Sequence, residues 1–322
     1  MKYPYNSNFR IYIEGLVEQK QSLGYPYVSS GRILRTFDKY CIKYFPNEHT
    51  LTSDIVMSWA SLKENEHQNG LMRRITPIRQ LAKYMNTIGI DAYVLSSNIP
   101  KKQIRYVPHI FTSQELSKFF KAVDACQVSA FSPGRHLVIP VLFRLLYSCG
   151  LRSSEARMLQ VSDVDFKLGS VFIRESKGHK DRIIYLSDDM LHLCKMYDER
   201  IQFHYPNRIA FFPNQKGNFY NRSLINYWFH LFWDNLTVAK TCTGNPPRVH
   251  DFRHTFAVNR LNQWVKGGKD INAYLPYLSM YLGHENQIDT DYYLHLVPEF
   301  FPVFRDKSRG ISENLLPEVD YE

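Results

Sequence analysis

The stretch Ser96–Pro108 (SSNIPKKQIRYVP) constrains this chain more than any other. It is polar, basic and bounded by prolines, which lack the N–H that a helix interior or a central strand needs, so it reads as a linker. A chain of 322 residues is long enough to bury two cores. The linker therefore predicts two domains: residues 1–107, with the linker at about 96–107, and residues 108–322.

The front domain reads as all-helical. Phe9–Lys20, Val28–Tyr44, Ser53–Glu64 and Gly70–Thr87 carry apolar residues at helical spacing and are separated by Gly, Pro, Asn and Ser. In the second of these, Ile33, Leu34, Phe37, Tyr40, Cys41 and Tyr44 form one stripe, which is the pattern of a core face. Thr52 or Ser53 caps the third. The larger domain opens with a helix over about Thr112–Cys126, where Thr112 and Glu115 have capping-box spacing. An apolar helix, expected to be buried on all sides, follows at Leu137–Cys149 and stops at Gly150. Ser170–Glu175 and Arg182–Leu186 alternate as strands around a turn, which predicts a β-hairpin. From Ser223 to His295 the pattern is helical again. The fold class expected is mainly α with a small antiparallel β element: a helical front domain and a mixed α+β second domain.

Charge narrows the partners. The formal net charge is +9, and it is concentrated in residues 1–107, with 15 Lys/Arg against 8 Asp/Glu. The rest carries 25 against 23. A basic front suits a polyanion, and equally a merely solvated surface. The five cysteines are scattered, with no metal-ligand spacing, as in a reduced cytoplasmic protein. The start, MKYPYNSNFR, lacks the apolar segment of a signal peptide, and no run of about eighteen apolar residues occurs, so neither secretion nor a membrane partner is expected.

Four segments carry candidate chemistry. In Gly150-Leu151-Arg152-Ser153-Ser154-Glu155 one helix stops and another starts, and Arg152 at the junction could face an anion; read alone, it is more simply a surface arginine paired with Glu155. Lys177-Gly178-His179-Lys180-Asp181-Arg182 forms the hairpin tip, where a lysine can serve as a proton donor or as ordinary turn composition. In His250-Asp251-Phe252-Arg253-His254, His250 and Arg253 share a helix face that the apolar stripe of Phe252, Phe256 and Leu261 turns away from the core. Two histidines and an aspartate also invite a metal reading, but a zincin's glutamate and third ligand are missing. Last come Leu282-Gly283-His284 and Thr290-Asp291-Tyr292-Tyr293-Leu294-His295. One tyrosine among 22 carries no weight except through its position.

Together, in this order and spacing over about residues 112–296, these segments resemble the tyrosine recombinases, or phage integrase family. The family pattern is an arginine in a GLR-x-S-E context, a hairpin lysine, an H-x-x-R helix, an LGH, and a tyrosine about nine residues later with a histidine two beyond. Residues 1–107 resemble, more weakly, the family's core-binding domain.

The resemblance implies that Tyr293 is the nucleophile, forming a 3′-phosphotyrosyl intermediate. Arg152, Arg253 and His284 would hold the phosphate oxygens, Lys177 would protonate the leaving oxygen, His250 would assist proton transfer, and Glu155 would orient Arg152. Spacing to His284 selects Tyr293 over Tyr292, and Lys180 is a second candidate for the hairpin lysine. Neither cofactor nor metal is implied. The implied partners are double-stranded recombination sites, further copies of the chain as a tetramer on DNA, and a partner recombinase or directionality factor. Integration, excision and transposition are the implied roles, with a type IB topoisomerase, a non-catalytic DNA-binding protein and a metal-dependent nuclease built on His250, Asp251 and His254 as alternatives. The segment Lys266–Tyr281 is longer and more aromatic than the family pattern. A tail over about 297–322, with Phe300, Phe301, Val303 and Phe304, is of the kind that family members dock on a neighbouring protomer.

Overall fold

The computed structural model of the protein describes residues 4–99, 106–130, 132–174, 181–237 and 246–296. The centre of the predicted linker, both hairpin lysines (Lys177 and Lys180) and the aromatic tail lie outside these residues. The chain divides into two compact units, Met1–Tyr106 and Val107–Glu322.

The first unit is built from α1 (Arg10–Ser22), α2 (Val28–Tyr44), α3 (Ser53–Trp59) and α4 (Gln68–Thr87). Its core joins Phe9, Ile13, Leu34, Phe37, Ile55, Trp59, Ile75 and Leu81, and burial of such side chains is the main force holding the helices together. Leu34, Phe37 and Cys41 of the predicted α2 stripe are buried, whereas Tyr44 at its end is exposed. The third helix ends earlier than its sequence pattern predicts. Arg74 of α4 donates to the carbonyls of Trp59 and Ser61 and pairs with Glu66, so the chain after Trp59 is held by a side chain rather than by further helical turns.

The second unit begins with α5 (Ser113–Asp124), closed by the capping box of Thr112 and Glu115. It continues through α6 (Arg135–Ser148), α7 (Ser153–Arg157), a short 3₁₀ turn, three strands and α8 (Asp188–His204). Next come α9 (Arg222–Trp233), α10 (Asp251–Lys266), α11 (Ile271–Leu282), α12 (Ile288–Asp291) and a 3₁₀ turn over Leu294–Leu296. The sheet is antiparallel in the order β1 (Val164–Asp165), β2 (Ser170–Ile173), β3 (Arg182–Tyr185), with Val171 opposite Ile184 and Ile173 opposite Arg182. The two-residue strand β1 is too short to read from the pattern, whereas α8 goes beyond the expected elements although Ser187 caps it and Met190, Cys194, Tyr197 and Ile201 form a buried stripe at helical spacing.

Helix α6 runs through the middle of this unit. Val138, Ile139, Leu142, Phe143, Leu145 and Leu146 are buried, while Arg144 reaches the surface and pairs with Asp124. An aromatic cluster of Phe111, Phe119, Phe143, Phe229 and Phe252 ties α5, α6, α9 and α10 together. A neighbouring cluster of Phe256, Val258, Leu261, Leu278 and Leu282 packs α10 against α11 and includes Tyr293. No helix among the described residues is long and apolar enough to cross a membrane.

Candidate active site

Two glycine turns make the site. After α6, Gly150 adopts a positive φ of 59°, and an added Cβ there would lie 2.5 Å from the Phe256 ring, so the turn needs both the freedom and the smallness of glycine. The turn delivers Arg152 to the start of α7. Helix α11 ends in a Schellman motif: Gly283 has φ 66°, its N–H donates to the Met280 carbonyl, and the His284 N–H donates to that of Ser279 at 3.0 Å.

The last carbonyls of α11 have no partner within the helix and sit at the negative end of its dipole. Three guanidinium groups from three different elements take the last two of these carbonyls and that of Gly283 just beyond them. Arg182 of β3 donates through Nε to the Tyr281 carbonyl at 2.7 Å. Arg253 of α10 donates to the Leu282 carbonyl, and Arg152 to that of Gly283 at 2.8 Å. Arg253 also donates to the Gly150 carbonyl at 2.9 Å, so a single side chain clamps both glycine turns.

Glu155 sits among these cations. Its carboxylate pairs with Arg152 at 2.7 Å and Arg182 at 2.8 Å, and accepts the backbone N–H of Arg152 at 2.9 Å. Burial works to raise its pKa, but the hydrogen bonds and charges of Arg182, the Arg152 N–H and the charge of Arg253 outweigh it and hold the pKa at about 2. Three guanidiniums around one carboxylate leave the cluster cationic. Burial and the charge of Arg152 lower the pKa of Arg253 to about 10, which still leaves it protonated at neutral pH.

The sequence pattern turns the His250–Arg253 face away from the core, but Arg253 is only 1% exposed. It is held inward because the carbonyls of two chain turns need its donors, a long-range demand that helical periodicity does not register. His250 begins α10 with part of its surface open to solvent. Crowding by protein around the rest of the ring, then the charges of Arg253, Arg248 and Arg152, lower its pKa to about 4, against a smaller opposing effect of Glu155. His254, one turn on, packs edge-on against His250, with ring centroids 4.8 Å apart, and lies 5.5 Å from the Tyr293 ring. Burial and the charges of His250, Arg248 and Arg253 lower its pKa to about 3.

His284 is oriented by a 2.7 Å hydrogen bond between Nδ1 and the hydroxyl of the fully buried Thr290, and its ring stacks 6.2 Å from Tyr293. Tyr293 is 3% exposed. Burial raises its phenol pKa, and the charge and hydrogen bond of Arg253 and the charge of Arg152 partly offset this. Tyr292, half-buried, sets its ring edge-on against exposed His295 at 4.4 Å and 6.1 Å from the Tyr293 ring.

Arg152, Glu155, His250, Arg253, His284 and Tyr293 thus gather within one unit of one chain, while Lys177 lies outside the described residues. Sequence reasoning missed Arg182 and Thr290, and weighed His254 only as a metal ligand. Arg182 has the look of any strand residue after a turn; its partners lie 27 and 99 residues away. Asp251 turns its carboxylate to the N–H of Arg248. Among the described residues, no three His, Cys, Asp or Glu side chains converge as metal ligands.

The sequence pattern of the Phage integrase family matches residues 110–299. A Sinorhizobium fredii protein that carries the name integrase/recombinase y4rE is 31% identical over 289 residues, covering 88% of this chain and 90% of its own. Tyrosine recombinase XerC of Oceanobacillus iheyensis is 23% identical, covering 91% of this chain and 94% of its own. Among solved structures, a lambda integrase tetramer bound to a Holliday junction shares the fold at a TM-score of 0.60 with 14% identity, over 88% of this chain and 76% of its own. The chain belongs to the phage integrase family and is a tyrosine recombinase, a site-specific DNA strand-transferase.

Proposed function

We propose that Tyr293 is the nucleophile and that the cationic cluster around it is built for one DNA phosphate. The phenol oxygen attacks phosphorus, the bond from phosphorus to the 5′-oxygen breaks, and a 3′-phosphotyrosyl enzyme and a free 5′-hydroxyl result. Arg152, Arg253 and His284 stabilise the charge that builds on the non-bridging oxygens. The guanidinium planes suit this because each presents a fork of donors, and the carbonyl anchors of α11 fix their orientation before DNA arrives. His250, neutral at physiological pH, takes part in removing the phenol proton, and Lys177 supplies the proton to the departing oxygen. Glu155 orients Arg152. Rejoining reverses these steps and uses the energy kept in the phosphotyrosyl bond.

The observation that carries this reading is the burial of the Tyr293 phenol beside Arg253 in the same chain, where the phenol oxygen accepts a hydrogen bond from that side chain. On a nicked suicide substrate, Tyr293→Phe should bind DNA and form no covalent adduct, while Tyr292→Phe should form one. The opposite pair of results would overturn the assignment.

The basic residues 1–107 act as the core-binding domain that grips the DNA backbone, and the catalytic domain occupies residues 108–322. The working assembly is a homo-tetramer on two paired sites, by likeness to the lambda integrase tetramer on a Holliday junction. The protein acts on DNA in the cytoplasm, in integration, excision or transposition. Exchange between two sites, rather than relaxation of one circle, separates this reading from a topoisomerase.

A further inference from the structure

Beside the catalytic cluster lies a cavity of about 760 Å³, lined by Arg152, Arg157, Arg222, His230, Arg248 and His250 together with serine, asparagine and valine side chains. Among the described residues no carboxylate lines it. Three of its basic side chains pair with carboxylates outside the lining: Arg152 with Glu155, Arg248 with Asp251 at 3.6 Å, and His230 with Asp234 at 3.2 Å. Among the described residues none forms an ion pair with Arg157 or Arg222.

Arg157 is tethered through one nitrogen to the Tyr220 carbonyl at 2.7 Å, yet its buried Nε has no hydrogen-bond partner among the described residues. Burial, followed by the charge of Arg222, lowers its pKa, so the two guanidiniums are close enough to repel. Two helices also begin at this cavity, α9 at Arg222 and α10 just after His250; neither has a side-chain cap, and the first N–H groups of α10 donate to the carbonyls of Arg248, Val249 and His250. Their positive dipole ends add to the field. Arginines from three stretches of the chain therefore line one space with their charges of the same sign, a lining suited to an anion.

We infer that Arg157 and Arg222 form a second phosphate clamp, which takes a backbone phosphate next to the scissile one and sets the register of the DNA strand across Arg152 and Tyr293. The inference rests on the recombinase reading, because it takes the scissile phosphate to lie at the Arg152 end of the cavity. These contacts would position the strand without reading its bases, since guanidiniums facing phosphate oxygens carry no sequence information.

The test is a coupling cycle in the Tyr293→Phe background, where binding is measured without cleavage. DNA carrying a single neutral methylphosphonate at each phosphate flanking the cleavage point is titrated against the parent protein and against Arg222→Ala, a substitution of an exposed side chain. At one flanking phosphate, neutralisation should weaken the parent and leave Arg222→Ala unaffected. The salt dependence of Arg222→Ala on unmodified DNA should be shallower by about 0.9 in log K against log salt, the value of one phosphate contact. Arg200→Ala, which removes an exposed arginine of α8 away from the cavity, should show no coupling at that phosphate. Additive penalties at every position, or an unchanged salt slope, would overturn the clamp. Adduct formation by the wild-type chain on the same unmodified substrate is scored separately; its failure would sink the recombinase reading, whereas adduct formation with additive penalties would sink the clamp alone.

Discussion

Replacing Glu155 by glutamine keeps the shape of the side chain and removes the one carboxylate held between Arg152 and Arg182. The carboxylate is 3% exposed, and its pKa falls from 4.5 to about 2 on folding. A depression of that size corresponds to about 3 kcal/mol of stability carried by the ionised form. The contribution is complete above the unfolded pKa and is lost as pH falls through the folded one. About 1 kcal/mol of it should be gone by pH 4 and about 2 by pH 3. Glu155→Gln should therefore lower the unfolding free energy of the second unit by about 3 kcal/mol at pH 7, within the range expected for breaking a buried ion pair. The gap between wild type and variant should narrow as the pH is lowered. Urea denaturation at pH 7, 5 and 4, with protection of the α10 amides as the probe, measures both quantities. A gap that stays constant with pH would refute the reasoning, because the loss would then reflect packing and not the charge.

Gly283→Ala forces a Cβ into the left-handed conformation that closes α11 and should cost about 1–2 kcal/mol. It should also slow adduct formation, since the carbonyls that orient Arg253 and Arg152 flank that turn; a thermal melt and a single-turnover assay read the two effects, and a variant equal to wild type in both would count against the clamp of carbonyls. With the pKa of His250 at about 4, its imidazole stays neutral through the physiological range and loses its ability to accept a proton only as pH falls towards that value. The rate of adduct formation at sub-saturating DNA, which reports the free enzyme, should therefore show the His250 acid limb near pH 4. A limb near the ordinary histidine value of 6.5, absent from His250→Gln, would contradict this.

The residue pattern specified much of the local architecture of this chain. The stripes of α2 and α10, the capping box before α5, the apolar run of α6 and the stops at Gly150 and Gly283 are short-range signals, each imposed by neighbours within a turn or two of helix. The order and spacing of Arg152, His250, Arg253, His284 and Tyr293 also resemble the tyrosine recombinase pattern, and it is that resemblance, not the residues singly, that implies one phosphate-directed site.

Other features exist only once the chain has closed on itself. Arg182 looks like any strand residue until β3 lies beside the end of α11, and Arg253 belongs on an exposed face until the carbonyls of Gly150 and Leu282 claim its donors. The choice of Tyr293 over Tyr292 as the buried ring, the depressed pKa values of Glu155 and His250, and the meeting of Arg157 and Arg222 at one cavity likewise depend on groups tens of residues apart. Periodicity and propensity act over a few residues, whereas burial and Coulomb interaction act through space; the first determined the elements, and only the second decided which of their side chains meet.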